Sequence, residues 1–429
     1  MTKDAAAVAA VHAIACVIVL ALGFDHVSDD DFARVTIAQS FAHAPRLDPS
    51  GTSWLPFPFW TMGATMAIFG RSLAVARVFS VGLASLALAL PLIALRMTGA
   101  PRRRALAAIA FAAIAPWSLW LGAATVPESF TASFTAAAVL ALGRPSDNAS
   151  PRARFAFASL LLAACLSRYE TWPVAIVLAI ATALRSRSRR QTAVTCAILL
   201  AGPVLWMAHN LHAHGSALHF FTRVAAFKRA IGEGSTDASS ALLMYPRLLA
   251  TTRPDVVAAT AGALLALRSK TVRRRWLVPL ACAAAQIAFL SYGNARDGAP
   301  AHHAERALLA PVLILAAFAA DVLLEAAPDL LSTRRPQAIG GAVVLAACWL
   351  LGARASLREV PGASPSEDRT AQLAEGQRLR EAGAPRVVVT PCAFEHFALV
   401  AAYGAPERVE TLPRTGAAVG PECPAVERR

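Results

Sequence analysis

Ser28-Asp29-Asp30-Asp31-Phe32-Ala33-Arg34-Val35-Thr36-Ile37-Ala38 begins just beyond an apolar first segment, residues 5–24. The stretch has the pattern of a helix start. Ser28 or Asp29 can cap it, and Phe32, Val35 and Ile37-Ala38 mark one apolar face. One or two acidic residues complement the positive end of a helix, but three in a row also repel one another. Membrane insertion does not call for such a cluster at this place. Carboxylates held just outside a bilayer, where lipid-linked molecules present their head groups, suit catalysis at the membrane surface.

The rest of the chain is built for lipid. It is 56% hydrophobic and 16% charged, with a mean hydropathy of +0.50. Apolar runs of roughly 17–25 residues recur, the length that crosses about 30 Å of hydrocarbon. The formal charge of +14 is not spread as a nucleic-acid footprint would be. Arginines gather in short loops between apolar runs, as in Arg102-Arg103-Arg104, Arg189-Arg190, Arg273-Arg274-Arg275 and Arg334-Arg335. By the positive-inside rule these loops face the cytoplasm. A nucleic-acid partner is thereby excluded, and membrane lipids are the expected surroundings.

From these anchors the sequence predicts an all-α polytopic membrane protein of about eleven spans. Segment 5–24 leaves the cytoplasm, and Lys3 with no small-residue cleavage site marks it as a retained span rather than a signal peptide. Spans follow at 71–95, 105–122, 126–142, 155–167, 171–184, 191–208, 253–267, 276–292, 305–326 and 337–353. Two long loops, 25–70 and 209–252, fall outside. So does a small α/β tail, 354–429, separate from the membrane part, 1–353. In the tail, Ala371–Glu381 has helical character, Arg386–Thr390 reads as a strand, Cys392–Tyr403 as a helix ended by Gly404, and Arg408–Leu412 as a second strand. Five cysteines lie in apolar runs, where they behave as small hydrophobes. Cys392 and Cys423 lie in the tail and either pair or remain thiols.

The order of motifs resembles the GT-C superfamily of membrane glycosyltransferases, in the branch of bacterial aminoarabinose transferases and protein O-mannosyltransferases. The resemblance runs over residues 5–320. It includes the acidic first loop ending in Ile37-Ala38, the Pro-aromatic segment Trp54–Trp60, Phe69-Gly70-Arg71-Ser72, and Pro127-Glu128. Leu166-Ser167-Arg168-Tyr169-Glu170, Pro203–Trp206, Tyr245-Pro246 and Arg306–Pro311 continue it. Counted back from Ile37-Ala38, the family's acidic pair falls on Asp30 and Asp31, and Asp29 is an extra residue left to cap the helix. The resemblance implies transfer of a sugar from a polyprenyl-phosphate carrier, on the extracytoplasmic face of a bacterial inner membrane.

That chemistry needs a base for the incoming acceptor and cations for the departing phosphate. Asp30 is the expected base, with Asp31 next. Arg168, Arg223, Lys228 and Arg306 are the expected phosphate partners, with Arg229 a further candidate. Glu128 and Glu170, at span ends, are expected beside them. The lipid-linked sugar donor is a substrate, and no resident cofactor is implied. A divalent ion is left open, but no metal ligands are assigned, because His209, His212, His214, His219 and His302-His303 read as polar loop surface. Two other functions suit parts of the pattern: an O-antigen ligase or polymerase, and a transporter or flippase. The first relies on Arg/His-rich loops rather than an acidic first loop, and the second lacks its expected internal repeat. The sugar and the acceptor (lipid, glycan or protein) are not written in any local motif.

Overall fold

The protein is described from a computed structural model covering all residues except 146–149, 186–187, 231–237, 300–302, 334, 391–393 and 413–429. Cys392 and Cys423 both lie outside the described residues.

The architecture is a multi-pass helical membrane bundle. Among the described residues six helices are long and apolar enough to cross a bilayer: Thr2–Ala21, Leu73–Met97, Arg189–His214, Lys270–Ala295, Ala304–Pro328 and Pro336–Leu357. The pair Arg102–Ala113 and Pro116–Ala123 would make a seventh, but it is bent by 80°. The expected count of eleven is therefore not reached by length. The segments expected at 126–142, 155–167, 171–184 and 253–267 form helices Glu128–Gly143, Pro151–Cys165, Trp172–Arg185 and Pro254–Leu264, all shorter than 18 residues. A straight crossing takes about 20 residues.

Burial explains how short helices persist. Glu128–Gly143 is covered along almost its whole length, and its Ala132, Ser133, Ala136, Ala137 and Ala138 let neighbouring backbones approach closely. The first helix shows the opposite balance. Val11, Ile14, Val17 and Ile18 are exposed apolar side chains, while His12 turns inward to Ser85 at 2.9 Å. The bend at Ala113–Pro116 frees carbonyls that lipid cannot satisfy. Buried Arg253, paired with Asp255 at 2.9 Å, donates to Phe111 O at 2.7 Å and Ala112 O at 3.0 Å.

Not all the loop arginines are free surface. Arg104, Arg144 and Arg275 converge on Asp321, with distances of 3.3, 3.3 and 3.9 Å, and Trp276 Nε1 donates to the same carboxylate at 3.0 Å. That knot ties four segments together at one end of the bundle.

In the tail, strands Val387–Val389 and Val409–Thr411 pair in parallel, with Val387 opposite Val409. Helix His396–Tyr403 lies between them in sequence and ends at Gly404, φ 86°. The tail does not stand apart. Ala398 and Ala401 pack into one apolar cluster with Phe32, Val35 and Ala38 of the first-loop helix, Asp29–His43. Gln39 Nε2 donates to Ala401 O at 2.8 Å. Nearby, Arg369 grips Asp29 through two hydrogen bonds of 2.7 and 2.8 Å. Asp29 is thus the first helical residue, held by the tail, and Ser28 is the cap.

Candidate active site

The acidic triplet divides into three different environments. Asp31 closes a capping box with Ser28, accepting from the backbone amides of Val27 at 3.0 Å and Ser28 at 3.3 Å. It also accepts from the Thr125 amide at 2.8 Å and is 1% exposed. Burial pushes its carboxyl up, against the pull of His26 and those amides. Asp31 therefore anchors the helix start to the segment before Glu128, and its oxygens are already engaged.

Asp30 points the other way, with 34% of its side chain accessible. Its surroundings would push the carboxyl up by desolvation. The charges of Arg306 and Arg34, and the Arg306 hydrogen bond, outweigh that and hold it below the ordinary carboxylate value. Asp30 is a carboxylate that stays ionised and stays open.

A ladder of alternating charge runs inward from it. Arg306 Nη2 donates to Asp30 at 3.0 Å, and Arg306 Nε stands 3.7 Å from Glu128. Arg168 then donates to Glu128 at 2.6 Å and to Glu170 at 2.7 Å. Each member sits where a helix starts or breaks. Asp30 lies in the first turn of the first-loop helix, and Glu128 is the first residue of the central helix. Arg168 precedes and Glu170 lies within the tight turn Tyr169–Thr171 between two short helices, and Arg306 lies in the turn Ala304–Leu308. Such positions leave the backbone at a span end, so a charged head can face the bundle interior without crossing lipid.

Arg34, one helical turn beyond Asp30, completes the set. It is 5% exposed, lies 4.3 Å over the Trp54 ring and feels the charges of Glu128 and Asp30. Burial pushes its guanidinium down to about 10. Its Nε and Nη1 have no hydrogen-bond partner in the protein. Three carboxylates thus face three guanidinium groups, and one of those cations keeps donors to spare. Tyr245, fully buried, is electrostatically coupled to Arg168, Arg306 and Glu170, and burial pushes its phenol well up, so it stays protonated. Beneath the ladder lies a cavity of about 10 Å³, lined also by Thr131, Thr135 and Gln286, with room for one water. Glu128 Oε2, Thr131 Oγ1 and Gln286 Oε1 have no partner there.

Five of the nine residues named from sequence, Asp30, Glu128, Arg168, Glu170 and Arg306, are brought together in this ladder, and exposed Arg229 donates to Ala225 O at 3.2 Å instead. Asp31 adjoins it but faces away. Arg223 is exposed and reaches Gly51 O at 3.4 Å, and buried Lys228 donates to Ala299 O at 3.0 Å and Asn294 Oδ1 at 3.4 Å. His209 approaches Asp48 at 3.8 Å, and His214 stacks on His219. Among the described residues no group of three or more His, Cys, Asp or Glu is arranged to hold a metal ion. Arg34 and Tyr245 are the residues that sequence reading left out of the site. The signal for Arg34 was its spacing, i+4 from Asp30 on the same helix face.

In fold the chain is similar to ArnT from Cupriavidus metallidurans bound to undecaprenyl phosphate, with a TM-score of 0.60 and 15% identity, covering 94% of this chain and 88% of that one. It is also similar to the archaeal oligosaccharyltransferase AglB from Archaeoglobus fulgidus, in complex with an inhibitory peptide and a dolichol-phosphate. There the TM-score is 0.51 at 13% identity, over 88% of this chain and 58% of that one. The chain shares the overall fold of these two proteins. No protein-family profile matches the sequence, and no curated protein matches it. Within this fold the ladder lies where the first-loop helix, the central helix and the segment around Arg306 meet.

Proposed function

We propose that this protein is a membrane glycosyltransferase that moves a sugar from a polyprenyl-phosphate carrier to an acceptor on the extracytoplasmic face. The observation that carries the reading is the pairing of an open, ionised Asp30 with Arg306, beside an Arg34 whose Nε and Nη1 donors are unused. The likeness to a protein solved with undecaprenyl phosphate and another solved with dolichol-phosphate supports the same class of carrier here.

The chemistry follows from these groups. An acceptor hydroxyl or amine gives its proton to Asp30 as its oxygen or nitrogen bonds to the anomeric carbon. The bond from that carbon to the phosphate oxygen breaks, and its electron pair leaves with the lipid phosphate. Developing positive charge on the sugar ring is stabilised by the neighbouring carboxylates, Asp30 and Glu128. Negative charge gathering on the phosphate meets Arg34, Arg168 and Arg306. Guanidinium groups in a partly dry site supply short, strong hydrogen bonds to such an oxyanion. Glu170 holds Arg168 in place. Lys228 fixes the second external region to the Asn294–Ala299 turn, and Arg223 remains at the rim as an outer contact for the phosphate.

In this proposal the loops 25–70 and 209–252 and the tail all lie on the extracytoplasmic side of a bacterial inner membrane, with the N-terminus in the cytoplasm. Membranes carrying the protein, supplied with a pool of polyprenyl-phosphate sugars, should release free polyprenyl phosphate as the sugar is transferred. Release no faster than in membranes without the protein, across aminopentose, hexose and mannose donors, would sink the proposal.

A further inference from the structure

A second basic cluster lies away from the ladder, where the tail meets the start of helix Leu73–Met97. There a cleft of about 240 Å³ is walled by Arg71, Arg380 and Arg408, with Tyr403 and Gly404 on its floor. Glu407 holds Arg71 through two hydrogen bonds of 2.7 and 2.9 Å. Arg380 reaches the Arg71 carbonyl at 3.4 Å, which brings the two arginines side by side. Gly404, at φ 86°, permits the crowding, because a Cβ there would stand 2.5 Å from Arg71 O and 3.2 Å from Arg380 Nη1.

Carboxylates in the neighbourhood are otherwise occupied. Glu410 pairs with Arg386, Glu375 with Arg378, and Glu381 accepts from Gln377. Among the described residues Arg380 and Arg408 have no carboxylate partner. Crowded like charges repel unless an anion sits among them. One arginine near the end of helix Thr370–Glu381 would complement its dipole; three around one cleft exceed that need.

The position decides which anion. Ile68 and Phe69, just before Arg71, are 76% and 72% exposed, and the membrane helix Leu73–Met97 begins two residues after it. Apolar side chains at that level sit at the lipid boundary, so the cleft opens where head groups emerge. We infer that the Arg71–Arg380–Arg408 cleft binds the phosphate of an anionic lipid head group, separately from the ladder and independently of the transfer reaction.

Full-length protein in detergent, titrated with phosphatidylglycerol or phosphatidylcholine and read by native mass spectrometry, tests this. Wild type should retain phosphatidylglycerol preferentially. Arg380→Ala with Arg408→Ala should weaken that retention by about tenfold, while Arg103→Ala with Arg190→Ala, which removes equal charge elsewhere, should not. Should the first pair fail to fold, Arg408→Glu at the exposed wall should show the same loss alone. Inorganic phosphate that fails to compete supports the lipid source; full competition overturns it in favour of soluble phosphate. Retention unchanged in the cleft variants, or lost equally in the control pair, would overturn the site itself.

Discussion

Arg306 and Asp30 are separated by 276 positions in the chain and by 3.0 Å in space. That contact sets the protonation of the proposed base. Desolvation raises the Asp30 carboxyl, and the charges of Arg306 and Arg34 bring it below its ordinary value of 3.8. The ionised form is therefore present above the lowered value and is lost as pH falls through it. Removing Arg306 leaves desolvation dominant. Arg306→Gln is expected to move the acid limb of the pH–rate profile upward, toward neutral pH. Profiles of wild type and variant measured on the same donor would check it, and an unshifted limb would remove Asp30 as the titrating group.

Arg168 is a matter of stability as well as chemistry. It is held between Glu128 at 2.6 Å and Glu170 at 2.7 Å, with all three residues buried. Arg168→Met strands Glu170 and leaves Glu128 only the 3.7 Å approach of Arg306, and breaking a buried pair in this way costs about 3–5 kcal/mol. Glu170→Gln, which leaves Arg168 paired with Glu128, should cost less. Thermal unfolding in detergent would rank the two, and equal midpoints would contradict the ladder.

Arg34 should act on binding. Its stacking on Trp54 fixes the guanidinium plane, and two of its nitrogens lack partners. Lysine keeps the charge but cannot stack or present the same fork of donors. Arg34→Lys is expected to weaken binding of undecaprenyl phosphate by about tenfold with an unchanged unfolding midpoint. Wild-type affinity would show that those donors face no phosphate.

The first loop carries a pH dependence of its own. His26, 1% exposed, lies 2.5 Å from Asp25. Burial pushes its imidazole down, but the hydrogen bond and charge of Asp25, with Asp31 and Asp29 behind it, raise it above its ordinary value of 6.5. A raised value means the charged pair stabilises the fold fully below 6.5 and loses that contribution as pH rises through the folded-state value. The unfolding midpoint should fall over that window, and His26→Gln should flatten the fall. A wild-type midpoint that rises with pH there would reverse the sign.

Local chemistry made part of the site legible in the sequence. Charged residues at the ends of apolar runs are costly, so Glu128, Arg168, Glu170 and Arg306 stand out against their neighbours. The helix start after Ser28 is legible for the same kind of reason: capping uses short-range rules. What the sequence hides is direction. Asp30 and Asp31 are adjacent and identical, yet a turn of about 100° per residue sends one to the ladder and the other to the Thr125 amide. Arg34 looks like one more arginine in a chain rich in them, until Trp54, twenty positions on, is found beneath it. Span number is hidden because hydropathy reports apolarity, and a short helix such as Trp172–Arg185 is as apolar as a long one. The docking of Ala398 and Ala401 on the first-loop helix likewise depends on contacts more than 350 positions apart in the chain.

The division of the acidic triplet gives the most direct measurement. Asp30→Asn and Asp31→Asn, purified separately, can be compared for sugar transfer and for thermal unfolding. Asp30→Asn should lower turnover by about 10²–10⁴-fold while the unfolding midpoint holds. Asp31→Asn, which disturbs buried hydrogen bonds to Val27, Ser28 and Thr125, should cost about 1–3 kcal/mol of stability and reduce turnover far less in the folded fraction. Full turnover in Asp30→Asn would contradict the assignment of Asp30 as the base.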